Sequence, residues 1–177
     1  SNLFIPGDLS VNNNIFIEND LNLNNNLDVC GNVSIKSNPF VSGNVKFNND
    51  LIIEGDLSVN KNFFVDGDVS INNNLVVNGD ISLNNNLIIF GDICCNSQLF
   101  ISEDLSVNNN LLINGDLSVN ENVFIKGKLI TNDISINNNL FVDGDVSCFG
   151  NFTIGSDLSL NKNLYIQKDA SLNQSLF

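Results

Sequence analysis

Hydrophobic and polar residues alternate along almost the whole chain in a repeat of twelve residues, which consists of two unlike halves. Residues 75–86 show both halves, Leu-Val-Val-Asn-Gly-Asp followed by Ile-Ser-Leu-Asn-Asn-Asn. We call the first half the Gly-Asp unit and the second half the Asn unit. In both units the first and third residues are apolar, and residues four to six are polar residues or Gly.

Each six-residue unit predicts a very short β-strand followed by a turn. On an extended chain the first and third side chains point to one side and the second points to the other. Gly, Asn and Asp at positions four to six are turn-forming residues, and their abundance disfavours helix. We therefore predict an all-β protein with the side chains of positions one and three in its core.

The regularity of the repeat predicts a solenoid, because a unit this small cannot bury its own apolar side chains and must stack on its neighbours. We predict a parallel β-solenoid, or β-helix, that forms a single array over residues 1–177. The chain begins and ends inside a repeat, and we expect it to be a segment of a longer chain or a mature piece of one. The outer coils of a solenoid expose unpaired strand edges, so we expect either that the parent protein caps them or that copies stack end to end.

The number of residues in one coil decides how the two units are arranged in space. In a triangular coil of eighteen residues the two units would alternate along each face, whereas in a two-sheeted coil of twelve residues each unit would form its own face. Position two points outward; it is mostly apolar in the Gly-Asp units and mostly Ser in the Asn units. The twelve-residue coil explains this segregation most simply, and we favour it over the eighteen-residue coil.

The outward apolar residues of the Gly-Asp units predict an association surface. On a twelve-residue coil they would form a stripe larger than the apolar patches that monomers normally expose. We expect a partner to cover it, either another copy of the chain or a large protein assembly. The predicted assembly face consists of Phe4, Phe16, Phe40, Ile52, Phe64, Val76, Ile88, Phe100, Leu112, Phe124, Phe141 and Tyr165.

One irregularity interrupts the repeat at residues 129–133, where a unit is one residue short. We expect these five residues to bulge out at a corner of the solenoid, as solenoids allow at their turns. The alternative is that they form a truncated extra side of a coil.

Charge and composition exclude several functions. The formal net charge is −13, with seven Lys, no Arg and no His, which argues against a nucleic-acid partner. No apolar run approaches the roughly 20 residues of a membrane-spanning helix, so we predict no membrane insertion. Without His or Arg, and with one Tyr, catalysis lacks obvious residues. We predict that the chain is not an enzyme and has no catalytic, cofactor-binding or metal-binding residues.

Three polar residue types have structural interpretations. Cys95 and Cys148 occupy inward positions and are expected to be small core residues. The Asn runs are expected to form ladders of side-chain hydrogen bonds between coils. An Asp follows Gly in many units, and in a twelve-residue coil a cation could relieve the repulsion between stacked carboxylates. We favour ordinary turn chemistry for these residues, which are Asp8, Asp56, Asp68, Asp80, Asp92, Asp116 and Asp145.

The pattern Val65-Asp66-Gly67-Asp68-Val69 resembles the hexapeptide-type parallel β-helices, and in particular the bactofilins, which are polymer-forming cytoskeletal proteins. The Asn-rich repeat is also similar to repeat proteins of large DNA viruses and to phage or viral fibres. These resemblances imply a structural protein in a virion or a cytoplasmic assembly, with an extracellular fibre as the alternative location. The catalytic His of the hexapeptide acyltransferases has no counterpart here.

These observations predict a non-catalytic structural rod. We expect it to assemble laterally through the apolar face, and also end to end, within a filament, a fibre or a capsid-type assembly. The alternative is the shaft of an adhesin or of a receptor-binding fibre.

Overall fold

The protein is a parallel β-solenoid whose coil is triangular. The computed structural model describes residues 3–176, in which 29 three-residue strands form three sheets of ten, ten and nine strands. Neighbouring strands are parallel and eighteen residues apart, as in the pairing of Leu57 with Leu75, or seventeen apart where the pair spans residues 129–133, as in the pairing of Val123 with Leu140. The predicted all-β solenoid is confirmed, whereas the two-sheeted coil of twelve residues is wrong.

The three sheets are named A, B and C in the order in which the chain enters them. Sheet A contains Leu3–Ile5 (β1), Leu21–Leu23 (β4), Pro39–Val41 (β7), Leu57–Val59 (β10), Leu75–Val77 (β13), Ile93–Cys95 (β16), Leu111–Ile113 (β19), Leu129–Thr131 (β22), Val146–Cys148 (β25) and Leu164–Ile166 (β28). Sheet B contains Leu9–Val11 (β2), Leu27–Val29 (β5), Val45–Phe47 (β8), Phe63–Val65 (β11), Ile81–Leu83 (β14), Leu99–Ile101 (β17), Leu117–Val119 (β20), Ile134–Ile136 (β23), Phe152–Ile154 (β26) and Ala170–Leu172 (β29). Sheet C contains Ile15–Ile17 (β3), Val33–Ile35 (β6), Leu51–Ile53 (β9), Val69–Ile71 (β12), Leu87–Ile89 (β15), Leu105–Val107 (β18), Val123–Ile125 (β21), Leu140–Val142 (β24) and Leu158–Leu160 (β27).

The core runs along the axis of the solenoid and is made by positions one and three, as the strand pattern predicts. Inward side chains from Leu21 to Leu158 are buried, and those of the outermost coils are only partly covered. Two of the largest buried side chains, Phe47 and Phe63, meet edge to face with ring centroids 6.5 Å apart. Each coil thus gains its apolar contacts from the coils above and below it.

The corners are held by a ladder at position six of the units. There the Oδ1 atom of an Asn or Asp accepts a hydrogen bond from the backbone N–H group eighteen residues later. Asp56 Oδ1 accepts from Asn74 N at 2.9 Å, and Asn74 Oδ1 accepts from Asp92 N at 2.9 Å. Since Asn and Asp both offer this oxygen, the two kinds of unit are interchangeable at a corner. The bonds satisfy N–H groups that would otherwise lack a protein partner.

A second ladder, at position four, joins Asn side chains eighteen residues apart. It confirms that Asn ladders connect the coils, although its members lie outside the predicted Asn runs. The Nδ2 groups of Asn78, Asn96 and Asn114 each donate to the Oδ1 atom of the preceding Asn in the column, at 3.1, 2.7 and 2.7 Å. The column begins at Asn60. In the predicted Asn runs, the third Asn instead belongs to the ladder at position six, as Asn74 does.

Gly91, at position five of its unit, lies where two coils approach closely. No residue in the described range has a positive φ, so left-handed backbone does not explain the glycines. A Cβ atom on Gly91 would lie 2.5 Å from the carbonyl oxygen of Asn73 and 2.5 Å from Asn74 Oδ1. By contrast, a Cβ atom on Gly7 would meet no heavy atom within 4 Å.

We expect Gly91→Ala to lower the free energy of unfolding by about 1–3 kcal/mol, because the new methyl group must push two coils apart. The matched control, Gly7→Ala, should be neutral, or stabilising by up to about 1 kcal/mol, because Ala restricts the unfolded chain. Urea denaturation followed by far-ultraviolet circular dichroism measures both changes. Equal changes in the two variants would contradict the steric explanation.

The irregular residues 129–133 form a shortened side of a coil. Leu129–Thr131 is a regular strand of sheet A with Leu129 and Thr131 buried, so the expected bulge is wrong. The unit is truncated, as the alternative proposed, but it is one of the three ordinary sides of its coil and not an extra one. The corner closes with one residue fewer, and Asn132 N donates to the carbonyl oxygen of Gly115 at 3.0 Å. The shortened unit changes which sheet receives each kind of unit in the rest of the chain.

Candidate association surface

The residues of the predicted assembly face are divided among all three sheets, so the continuous stripe does not form. Sheet A presents Phe4, Phe40, Val76, Leu112 and Tyr165, sheet B presents Phe64 and Phe100, and sheet C presents Phe16, Ile52, Ile88, Phe124 and Phe141. A coil of three units places a Gly-Asp unit next to an Asn unit on every face. Most of these apolar residues therefore have small or polar neighbours on the adjacent strands.

The outer face of sheet C carries a regular row of large apolar residues that alternate with Ser. Its nine outward positions contain no charged residue, and Phe16 and Ile52 are each more than half exposed. We call this row the sheet C face, and it consists, in spatial order, of Phe16, Ser34, Ile52, Ser70, Ile88, Ser106, Phe124, Phe141 and Ser159.

The sheet C face alternates between large and small side chains from one strand to the next. Ser70 lies between Ile52 and Ile88 on the two neighbouring strands. These isoleucines are about 10 Å apart, since neighbouring strands are separated by about 4.8 Å. Between them is a concavity of about 270 Å³, whose lining includes Asp50, Asp68 and Asn86 at one corner. The face is therefore corrugated, with apolar ridges and Ser-lined hollows.

The shortened unit at residues 129–133 breaks this alternation near one end of the face. It brings two Gly-Asp units onto adjacent strands, so that Phe124 pairs in register with Phe141. Their rings are stacked, with centroids 4.9 Å apart and planes 3° from parallel. The short unit is visible in the sequence. The pairing of Phe124 with Phe141, however, can be predicted only when the number of residues in one coil is known.

Sheet A carries a second apolar cluster, which includes two residues outside the predicted face. Val76, Cys94, Leu112 and Ile130 occupy four consecutive strands. A concavity of about 400 Å³ is lined by Cys94, Leu112 and Ile130, and Asp92 and Lys128 also line it. Sequence reasoning missed Cys94 and Ile130 because they belong to units whose second residue is usually Ser.

Sheet B is the most polar of the three outer faces. Asp28 and Lys46 occupy neighbouring outward positions there, and Phe64 and Phe100 are separated from each other by Ser82. This sheet thus offers isolated aromatic residues that can serve as controls for the other faces.

The cysteines take the positions that the repeat predicts. Cys95 and Cys148 are buried, and burial raises the pKa of both thiols. Each Sγ–H group donates to a backbone carbonyl, at 3.3 Å to Gln98 and at 3.0 Å to Asn132. These interactions keep both thiols protonated and unreactive.

The carboxylates of the Gly-Asp units do not stack on one another as they would in a twelve-residue coil. Along the corner between sheets C and A, Asp56, Asn74 and Asp92 alternate, which places these carboxylates two coils apart. At another corner, hydrogen bonds from the Ser97 side chain and the Gln98 backbone hold the pKa of Asp80 below its ordinary value.

Within residues 3–176 no three His, Cys, Asp or Glu side chains are grouped as a metal site would require.

Comparisons with protein-family models, with curated proteins and with solved structures give no match to this chain. The fold itself defines the class, which is a parallel β-solenoid repeat protein with a triangular coil. None of the residues described here belongs to a helix long and apolar enough to span a membrane.

Proposed function

We propose that this protein is a non-catalytic structural rod that associates laterally through the sheet C face, within a filament, a fibre or a capsid-type assembly. The observation that carries this proposal is an uncharged, partly apolar row on a protein with a net charge of −13. The nine strands of the row extend for about 40 Å at about 4.8 Å per strand. An apolar row of this kind is typical of a surface that a partner covers.

The distribution of charge supports the choice of sheet C over sheet B. The outward positions of sheet B include Asp28 and Lys46, and an ion at such a position must be desolvated when a partner covers it. The charged residues next to sheet C belong to its corners, where most of them lie at the rim of a contact; Lys36 is the exception, with its Nζ atom 5.4 Å from the ring centroid of Phe16. The rim of an interface is the usual place for charged residues.

End-to-end addition is the second part of the proposal. The outer edge of a parallel sheet presents unpaired backbone N–H and C=O groups, which template the addition of another strand. A further coil can come from the same polypeptide or from another copy. The matching corner ladders of Asn and Asp would continue across either junction, because both residues supply the same Oδ1 acceptor.

The test compares two variants of the purified protein by sedimentation velocity over a range of concentrations. The sheet C variant carries Ile52→Ser, Ile88→Ser and Phe124→Ser, and the control carries Phe64→Ser and Phe100→Ser on sheet B. We expect the wild type and the control to associate as concentration rises, and the sheet C variant to remain monomeric with unchanged circular dichroism. Association of all three proteins to the same extent would overturn the proposal.

A further inference from the structure

We infer that the lateral partner is a second copy of this chain, and that two sheet C faces pack with the apolar ridges of each copy in the Ser-lined hollows of the other. This inference rests on the proposed function and adds the identity of the partner and the alignment of the two rods. It is carried by the spacing of the large and small residues on the face.

The first argument is the pitch of the corrugation. Ile52 and Ile88 stand about 10 Å apart on either side of the concavity above Ser70, twice the strand spacing of about 4.8 Å. A partner that fills successive hollows must present apolar side chains at the same pitch. Another copy of this face presents such side chains at that pitch, since its own ridges alternate with its own hollows.

The second argument is symmetry, which selects the direction of the rods. A two-fold axis parallel to the rods would place each residue opposite its own copy, so that ridge would meet ridge. A two-fold axis parallel to the strands makes the rods antiparallel and can pass midway between Ile52 and Ser70. Ridge then meets hollow on six strands of each copy, with Ile52 opposite Ser70, Ser34 opposite Ile88 and Phe16 opposite Ser106. Such a pair is closed, because the same patch is used on both copies.

The charges at the corner after sheet C favour this alignment over the next one. In the proposed pair, the fourth residues of the units face each other without like charges, as Glu18 opposite Asn108, Lys36 opposite Phe90 and Glu54 opposite Asn72. Sliding the rods by two strands to the longer overlap would place Lys36 opposite Lys126 and Glu18 opposite Asp143. At the other corner, Asp50 lies opposite Asp68 in the proposed alignment. Both carboxylates are exposed in the single chain, and their repulsion weakens the contact and falls as salt is added.

The size of the contact predicts its strength. Six strands at about 4.8 Å and three residues at about 3.3 Å give a face of roughly 300 Å² per copy. Stable dimers bury about 800 Å² per partner, so a single contact between two such rods belongs to the weak class of interfaces. The pair should therefore form at high protein concentration, and should become stable where longer rods or several neighbours multiply the contact.

The test fills one hollow and then restores the complementarity. Ser70→Ile adds apolar surface but places Ile against Ile52 of the other copy, and we expect it to weaken association by roughly tenfold or more. The exchange variant Ile52→Ser with Ser70→Ile has the wild-type composition and again places ridge against hollow, because these two positions face each other. We expect it to associate as the wild type does. Sedimentation velocity measures all three proteins, and circular dichroism checks that the fold is unchanged.

The outcomes separate this inference from the proposed function. Stronger or unchanged association of Ser70→Ile would overturn the inference, and so would failure of the exchange variant to recover. In either case the proposed lateral association stands as long as the sheet C variant described above remains monomeric. If the sheet C variant associates like the wild type, the proposed function fails and the inference fails with it.

Discussion

Replacing Leu83 with Asp is expected to lower the free energy of unfolding by roughly 4 kcal/mol, because it buries a carboxylate without a partner. Leu83 is fully buried on sheet B, and its neighbours in the adjacent coils, Val65 and Ile101, are also fully buried. The matched control is Ser82→Asp, one residue away, whose side chain points outward. The control should change stability by about 0.5 kcal/mol or less. Urea denaturation measures both variants.

The damage caused by Leu83→Asp should also be local. In a solenoid each coil contacts only its neighbours, so the loss is concentrated in the coils that contain residues 65, 83 and 101. Backbone amides of these coils should exchange with deuterium much faster than in the wild type, whereas those of distant coils should keep more of their protection. Uniform loss of protection along the whole chain, or equal destabilisation by Ser82→Asp, would count against this description of the core.

Substitution of Val76 by Cys is expected to create a disulfide bond with Cys94 on mild oxidation. The two residues are paired in register on neighbouring strands of sheet A, and a strand spacing of about 4.8 Å lies within the Cα–Cα range of disulfides. The bond would close a loop of eighteen residues and should raise the free energy of unfolding by about 3 kcal/mol. Thiol titration, mass spectrometry and denaturation with and without reductant measure the result.

The control for this experiment is Ser82→Cys, in which the new thiol is twelve residues from Cys94. A coil of twelve residues would bring these two side chains together, and the coil of eighteen residues places them on different sheets. Both variants should carry Cys30→Ser, since Cys30 is exposed and could form bonds between molecules. An intramolecular disulfide in the Ser82→Cys protein, and none in the Val76→Cys protein, would refute the triangular coil.

The strands and the core could be predicted from single units of the sequence. Whether a side chain such as Leu75 or Val77 points inward depends only on its alternation with Val76, which is local. The same reasoning placed Cys95 and Cys148 in the interior. The twelve-residue period also made the shortened unit at residues 129–133 visible, although not the strand that it forms.

The number of residues per coil could not be predicted correctly, because the sequence repeats after two units whereas the chain returns to the same sheet after three. The segregation of Phe and Ser at position two was interpreted as two separate faces. In the structure it arises between neighbouring coils, where Ser70 lies beside Ile52 and Ile88. The twelve-residue period thus places a large apolar residue next to Ser on neighbouring strands of one face. It does not give each kind of unit a face of its own.

The sequence by itself therefore determined the strands, the turns, the inward side chains and the solenoid, because each follows from alternation and from the inability of one unit to bury its apolar residues. Only the tertiary structure decided which units become neighbours, and with them the sheet C face, the stacked rings of Phe124 and Phe141 and the separation of Asp56 from Asp92. The physical reason is that these contacts depend on how many corners the chain turns before it returns to the same side. The corner hydrogen bonds join residues eighteen positions apart, a distance that the twelve-residue period does not contain.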